Sequence, residues 1–210
     1  MQLHPAAFAA LLAMAPAAVA ARPVSWPGGW TLIEAWNPDY GSLLVHYTPA
    51  RTHSVGMRLF HDRASDWTFA GPQVTWLARR WNAPGAQANL YVAGALGAGI
   101  EPDGAAGPGG IAEVQADWEN RRFLVMGSAR VAGALDQQVA NMQMVRAGFA
   151  PFVADYGGVH LWLFGEVRRD SMASQRVQPA FVARLFRGRA MIEAGVTGAG
   201  GFILNSQFRF

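Results

Sequence analysis

Ionisable side chains in this sequence alternate with apolar ones, an arrangement that places charges along one side of an extended chain. In the segment 111–119, Glu113, Asp117 and Glu119 alternate with alanine, valine and tryptophan residues. Residues two apart on a β-strand share a face, and fixed charges inside a closed sheet can select ions. The candidate lumen residues are Glu34, His46, Arg58, Arg79, Glu113, Asp117, Glu119, Arg122, Arg130, His160, Glu166, Arg168, Arg184 and Glu193.

Tight turns predict which of these charges face each other on neighbouring strands. The expected pairs are Glu119 with Arg122, Asp117 with Leu124, Glu113 with Ser128 (Arg130 one step along), Arg184 with Met191, and Glu193 with Asn205, while Glu34, His46 and Arg58 should share one height. Two interpretations stay open. Buried charges must be paired, so they would fill and plug the interior. Alternatively, an arginine-lined conduit or binding site would select anions.

Asp155 and His160 are candidates for a catalytic base and the group that orients it. A two-residue turn on Gly157 and Gly158 would make them a cross-strand pair. A hydrolase also needs a nucleophile beside that pair, and the sequence places no serine there. An outer-membrane lipid hydrolase is therefore a lesser alternative, and no catalytic residue is predicted.

Metal binding has only weak candidates, and no cofactor is predicted. The histidines at 46, 53, 61 and 160 lack the close spacing of metal-ligand pairs. Met142, Met144 and Met172 would offer soft thioether ligands to Cu(I), although packing is the commoner role of methionine.

The elements that position these residues are short strands, because Gly and Pro interrupt the chain and no long helical period appears. The predicted strands are 30–36, 42–48, 54–62, 67–81, 88–100, 111–119, 122–132, 144–155, 159–169, 175–186, 189–196 and 202–210. Longer connections such as "EPDGAAGPGG" alternate with short ones such as "NR" and "RG". This rhythm predicts an all-β fold, a closed antiparallel transmembrane barrel of about 12 strands with short periplasmic turns, ten strands being the nearest alternative. Pro151 and Pro179 weaken the two strands that contain them.

Composition agrees with a membrane barrel. Only 15% of residues are charged and 51% are hydrophobic, whereas soluble domains carry about 25% charged residues. Beyond the N-terminal segment, no apolar run approaches the roughly 18 residues of a membrane helix. The basic residues are all arginine and are scattered, so no nucleic-acid partner is expected. The absence of cysteine excludes disulfides, thiolate metal sites and lipidated cysteine.

The N-terminal residues are typical of an export signal. An apolar run from Pro5 to Ala20 ends in Ala18-Val19-Ala20, which predicts cleavage after Ala20 or Ala21. A membrane anchor is the alternative, but the run is short, alanine-rich and broken by Pro16. We therefore divide the chain into a signal peptide, 1–21, and a barrel domain, 22–210.

The last strand resembles the C-terminal sorting signal of bacterial outer-membrane β-barrels. Phe202, Leu204, Phe208 and Phe210 share one face of "GFILNSQFRF", with Ser206 departing from the apolar pattern. The resemblance implies a protein of the bacterial outer membrane whose last strand is recognised by the barrel-assembly machinery and closes the barrel against the first. It also implies contact with outer-membrane lipids and lipopolysaccharide.

Segments along most of the chain also resemble an uncharacterised family of small outer-membrane proteins found near heavy-metal efflux genes. They include "SWPGGWTL", "LLVHYTP", "APFVADYG" and "RLFRG". That resemblance favours a role in metal resistance modestly, and no known activity comes with it. The expected function is a non-enzymatic, porin-like barrel that passes or binds small solutes or ions through a narrow Arg/Glu-lined lumen. A structural barrel that serves as a platform for partners is the alternative.

Overall fold

Twelve antiparallel strands close into one barrel in the computed structural model, which describes residues 23–134, 140–155, 157–173 and 176–210. Each strand pairs with its neighbours in the chain, and β1 pairs with β12. The strands are β1 (Trp30–Trp36), β2 (Tyr40–Ala50), β3 (His53–Asp62), β4 (Trp67–Ala83), β5 (Ala86–Ile100), β6 (Ala106–Asn120), β7 (Phe123–Ala134), β8 (Ala140–Phe149), β9 (His160–Asp170), β10 (Val177–Arg187), β11 (Ala190–Thr197) and β12 (Phe202–Arg209). The predicted fold class is confirmed, while the predicted signal peptide lies outside the described residues.

Two strands differ clearly from their predicted bounds. β6 begins at Ala106 rather than at 111, because the glycine-rich "AGPGG" of the predicted loop continues the ladder with β5. β8 runs over Ala140–Phe149 rather than 144–155. Proline cannot donate to the ladder, and β8 ends two residues before Pro151. Pro179, by contrast, lies inside β10 with its ring exposed on the outer face.

An even number of strands puts both ends of the sheet at one rim of the barrel, here named the proximal end; the other is the distal end. Four proximal turns contain two residues each, between β2 and β3, β4 and β5, β6 and β7, and β10 and β11. The fifth proximal connection, 150–159, has ten residues and replaces the predicted two-residue turn on Gly157-Gly158. The distal connections include 37–39, 63–66, 101–105 and 198–201.

The seam between β1 and β12 closes the sheet. Its register runs from Thr31 opposite Arg209 to Trp36 opposite Leu204. Beyond the ladder, the Trp30 N–H donates to the Phe210 carbonyl at 2.7 Å, and the Phe210 N–H donates to the Trp30 carbonyl at 3.0 Å. The final residue of the chain therefore pairs with the first residue of β1.

The outer face of the barrel is apolar. Leu59, Val74, Val114, Ile192 and Leu204 are each exposed on it. Exposed aromatic residues near the proximal ends of their strands include Trp30, Trp76, Trp81, Trp118, Phe123, Phe149, Phe208 and Phe210, and those at the distal ends include Trp36 and Phe202. An apolar band with aromatic residues at its borders is the pattern that faces lipid. In the described part of the chain, no helix has the length and apolarity needed to cross a membrane.

The interior is filled by side chains rather than left as a wide tube. Phe60, Trp67 and Phe69 lead one apolar cluster, and Trp162 and Phe164 lead another on the opposite wall. Residues 23–25 enter the proximal opening, where Val24 packs against Leu77 and Tyr91. The Ser54 hydroxyl donates to the Pro23 carbonyl at 3.1 Å. The proximal opening is therefore partly covered by the chain itself.

Candidate functional site: a charged lumen

One carboxylate on β6 is shared by two arginines from different walls of the lumen. Glu113 accepts hydrogen bonds from Arg130 Nε at 2.9 Å and from Arg58 Nη1 at 3.3 Å. The Arg130 guanidinium carbon lies over the lumen-facing rings of Tyr40 and Phe60, 4.8 Å and 5.5 Å from their centroids. Cation–π contact and the ion pairs together fix this arginine in one orientation.

A second cluster is built on Arg146, which donates to two carboxylates. Its Nη1 contacts Glu193 at 2.8 Å, and its Nε contacts Glu166 at 2.8 Å. Glu193 also accepts from Arg184 Nε at 2.7 Å, and Glu166 also pairs with Arg168.

The aromatic ring of Phe164 supports this second cluster. Arg146 and Arg184 lie 5.1 Å and 4.8 Å from its centroid. Asn205 Nδ2 donates to the remaining oxygen of Glu193 at 2.7 Å. The cluster is thus held by charge pairing, ring stacking and an amide from the last strand.

Arginine exceeds carboxylate in these two clusters. The arginine belt, defined as Arg58, Arg130, Arg146, Arg168 and Arg184, shares three glutamates, so five positive and three negative charges leave a surplus of two. Arg58 Nε and Arg168 Nη1 are buried without a hydrogen-bond acceptor among the described atoms. A buried guanidinium donor with no acceptor is costly, and an anion or water would satisfy it.

A cavity of about 190 Å³ lies between the two clusters. All five belt arginines line it, together with Glu113 and Glu193 and, toward the distal mouth, Asp39 and Asp170. A cavity of this size, lined by charged groups as well as apolar side chains, holds several water molecules or a small hydrated ion. The belt therefore surrounds a space that a small solute can occupy.

The distal mouth of the lumen has the opposite charge. Asp39, Asp62 and Asp170 are buried there. Asp62 accepts from the Ser65 hydroxyl at 2.8 Å, and Asp39 accepts from Gln178 Nε2 at 3.3 Å. Burial raises the pKa of Asp39 above its ordinary value; Arg168 opposes the rise and the nearby Asp62 adds to it.

Most of the predicted lumen residues lie on the inner face. His46, Arg58, Asp117, Glu119, Glu166, Arg168, Arg184 and Glu193 are buried, and Glu113 and Arg130 are nearly so. Asp117 accepts from Asn89, which in turn accepts from Arg80, both at 2.7 Å. His160 is inside as well, its ring stacked 4.4 Å from Phe186 at the proximal end.

Three predicted lumen residues lie elsewhere. Arg122 is exposed in a proximal turn, and Arg79 is exposed beyond a bulge in β4, with its guanidinium over Trp81. Glu34 pairs in register with Leu43 and Ser206, which belong to the outer face, and accepts from the Ser206 hydroxyl at 2.7 Å. It therefore does not share a face with His46 and Arg58.

The residues that face each other across the turn between β6 and β7 differ from the predicted pairs. Glu119 faces Leu124, Asp117 faces Met126 and Glu113 faces Arg130. The shift arises because the turn lies one residue further along the chain than predicted, on Arg121 and Arg122. The Asn120 side chain accepts from the Arg122 and Phe123 N–H groups there, both at 2.7 Å.

The other two facing pairs have different outcomes. Arg184 faces Glu193 rather than Met191, because the turn at Gly188 has a positive φ of 58° and the ladder closes between Arg187 and Ala190. Glu193 faces Asn205, as predicted. Arg146 was missed, although it shares its face with Met144 in a predicted strand and the alternation pattern indicates it.

Asp155 and His160, the candidates for a catalytic base and its orienting group, do not face each other across a hairpin. β8 ends at Phe149, which pairs with Leu163, so Asp155 lies in the ten-residue proximal connection, off the ladder. His160 begins β9 opposite Phe186. The geometry expected of a hydrolase base and its orienting carboxylate is therefore absent from this hairpin.

The methionines proposed as weak metal ligands pack among apolar or lumen residues. Met142 belongs to the cluster of Phe60, against which Met172 also packs, and Met144 lines the central cavity. Within the described ranges, no group of three or more His, Asp or Glu residues is placed to hold a metal ion.

Solved structures with the same closed fold are outer-membrane barrels. A KdgM porin matches with a TM-score of 0.51 and 9% identity over 87% of this chain and 99% of its own. A KdgM porin in complex with disordered oligogalacturonate matches with a TM-score of 0.52 and 7% identity over the same shares. A loop L8 deletion mutant of OmpT, an outer membrane protein of Vibrio cholerae, gives 0.31, too low to support an argument.

No protein-family model and no curated protein sequence matches the chain. The likeness shows the fold, a closed antiparallel β-barrel, and the apolar outer band is the surface that such barrels turn to lipid.

Proposed function

We propose that this protein is a non-enzymatic barrel of the bacterial outer membrane that binds small anions in its lumen and passes them through it. The observation that supports the proposal is the arginine belt: five arginines share three carboxylates around a cavity of about 190 Å³. Fixed charges that line a narrow lumen select ions of the opposite sign.

Spare donors in the belt point to binding as well as passage. The buried Arg58 Nε and Arg168 Nη1 lack acceptors among the described atoms, and a guanidinium can only donate. A porin of this fold has been solved in complex with oligogalacturonate, an acidic sugar chain, so a barrel of this architecture can take an anionic ligand. A role in metal resistance is not part of the proposal.

Single-channel recording in planar bilayers tests the proposal. In a potassium chloride gradient, the reversal potential of the wild type should show preference for chloride. Arg168→Gln removes one belt charge without breaking the Arg146 pairs of Glu166 and Glu193, and it should shift the reversal potential toward cation preference. Arg169→Gln is the matched control, because Arg169 is the next residue of β9 and is exposed on the outer face.

Two results would overturn the proposal. A channel that prefers cations in the wild type would show that the belt does not set selectivity. A silent bilayer with verified folded barrel would favour the alternative, a plugged barrel with a structural or partner-binding role, in which each belt charge serves only to pair a neighbour.

A further inference from the structure

A group of buried polar side chains lies in the proximal half of the lumen, outside the central cavity. His46 is 1% exposed, and Thr31 and Thr48 are fully buried. Both ring nitrogens of His46 and both threonine hydroxyls lack a hydrogen-bond partner among the described atoms. Four polar atoms without partners on two adjacent strands are unusual, since buried polar groups in folded proteins are nearly always hydrogen-bonded.

The strand register brings these groups to one height. Thr31 faces His46 on β2 and Arg209 on β12, so a guanidinium, a hydroxyl and an imidazole lie on consecutive strands across the seam. Arg209 is itself held in place, because the Gln207 amide oxygen accepts from its Nε and Nη2 at 3.0 Å. Thr48 follows two residues after His46 on the same face.

The next strand leaves room for the imidazole. His46 faces Gly56 on β3, and a Cβ at that position would lie 2.6 Å from the His46 Cα and Cβ. Any larger residue would displace the ring or the strand. The glycine thus forms one side of a cradle in which the imidazole sits against the wall of the lumen.

The chemistry of this group is that of an anion site. Arginine only donates, hydroxyls donate readily, and a neutral imidazole donates through one nitrogen. No carboxylate faces His46 from its partners in the register, which are Thr31 and Gly56. The next inward residue on β3 is Arg58 of the belt, which faces Leu44, two residues along β2 from His46. The site therefore adjoins the belt on its proximal side.

We propose that Thr31, His46, Thr48 and Arg209 form a second binding site of the lumen, which takes a small monovalent oxyanion such as nitrate or a short carboxylate. The inference rests on the proposed function, because it places a station for the anion between the proximal opening and the belt. The three aspartates of the distal mouth repel anions, so the proximal side is the favourable approach to the belt.

Nitrate binding can be followed at His46 itself. The folded barrel in detergent micelles, labelled with ¹⁵N-histidine, is titrated with sodium nitrate at constant ionic strength set with sodium gluconate, whose anion is much larger than nitrate. The His46 ring signals, assigned with His46→Gln, should shift and saturate. The signals of His53 and His61, which lie on the outer face, should stay unchanged.

Variants identify the hydroxyls as ligands. The double variant Thr31→Val and Thr48→Val keeps the side-chain shape and should weaken nitrate binding at least tenfold, and Thr48→Val alone should weaken it severalfold. Thr197→Val, a buried threonine at the distal end of β11, should leave the affinity unchanged within twofold. Heat-dependent gel migration verifies folding, and the single variant serves if the double variant does not fold.

His46 signals that do not respond to nitrate would overturn the inference, since the site would then hold water alone. Equal affinity in the wild type and the Thr48→Val variant would also overturn it. These outcomes are independent of the channel recordings: a cation-selective barrel whose His46 still binds nitrate would refute the proposed function and leave this site standing.

Discussion

Each shared carboxylate of the lumen holds two guanidinium groups that would otherwise repel each other. Glu113 on β6 joins Arg58 on β3 to Arg130 on β7, two strands that lie four strand pairings apart. Removing one partner of a buried ion pair leaves an uncompensated charge, and the loss exceeds what the pair contributes over an apolar replacement. Substituting one of the three glutamates that pair with the belt should therefore destabilise the folded barrel strongly.

Glu113→Gln should lower the free energy of unfolding by about 3–5 kcal/mol, because Arg58 and Arg130 would both lose the carboxylate that pairs with them. Urea titration in micelles, followed by tryptophan fluorescence, measures the change. Glu101→Gln, in the distal connection 101–105, is the control and should change stability by less than about 0.5 kcal/mol. Equal losses in the two variants would contradict the role given to Glu113.

Asp39 should make stability depend on pH. Its pKa is raised by burial, so between the ordinary aspartate pKa and the raised value the folded state binds more protons than the unfolded chain. The free energy of unfolding then falls as pH rises through that window.

In Asp39→Asn this contribution should disappear. Thermal unfolding of the two proteins across acidic pH would show the wild type losing stability relative to the variant as pH increases. Asp103→Asn, in an exposed distal connection, should keep the wild-type slope. A difference between wild type and Asp39→Asn that does not vary with pH would refute the prediction.

At the level of elements, the alternation of apolar and polar residues was enough to predict 12 strands. β1 has its predicted bounds, Trp30–Trp36, and β3 begins one residue earlier than predicted. This worked because one face of every strand meets lipid and the other meets the lumen, so the two-residue period is strong in each. The predicted β6 is too short because its first residues are mostly glycine, which has no side chain and so adds nothing to the apolar–polar alternation.

The register of the charges could not be predicted as well as the strands. A turn displaced by one residue along the chain moves every facing partner by two positions, as happens beside Asn120. The connection 150–159 was misjudged because "YGGV" has the composition of a hairpin turn. Glu34 has the residue type of a lumen lining, yet its position in β1 gives it the other face.

The final strand offers a direct test at this level. Deleting Phe210, or changing it to Asp, should reduce assembled protein in the outer membrane severalfold, because the sorting pattern and both backbone hydrogen bonds to Trp30 would be disturbed. Phe149→Asp is the matched control: Phe149 is also an outward aromatic residue at a proximal strand end.

Quantitative blotting of heat-modifiable protein in outer-membrane fractions measures the yields. Similar yields for the Phe210 and Phe149 variants would show that the last residue has no special part in assembly.

In the whole molecule, the lumen is divided along its axis by charge. Aspartates occupy the distal mouth, the arginine belt surrounds the central cavity, and His46 with Arg209 lies on the proximal side. Residues at one height come from distant parts of the chain; the bond from Gln178 to Asp39 spans 139 residues. This arrangement along the axis could not be predicted from the sequence, because it depends on the register of all the strands in the closed barrel and no local sequence pattern indicates that register.

Because Trp30 pairs with Phe210, the first and last strands adjoin, and the order of strands around the barrel does not depend on where the chain begins. A short glycine-serine linker in place of residues 23–29 could join Phe210 to Trp30, and the chain could be opened in the distal connection 101–105. The circularly permuted protein would run from β6 through β12 and β1 to β5, and it should refold in micelles with the same neighbours around the ring. In cells its former last strand would be internal, so we expect refolding in vitro but poor delivery to the outer membrane. Delivery equal to the wild type would mean that the cell recognises the closed ring of strands and not the end of a polypeptide.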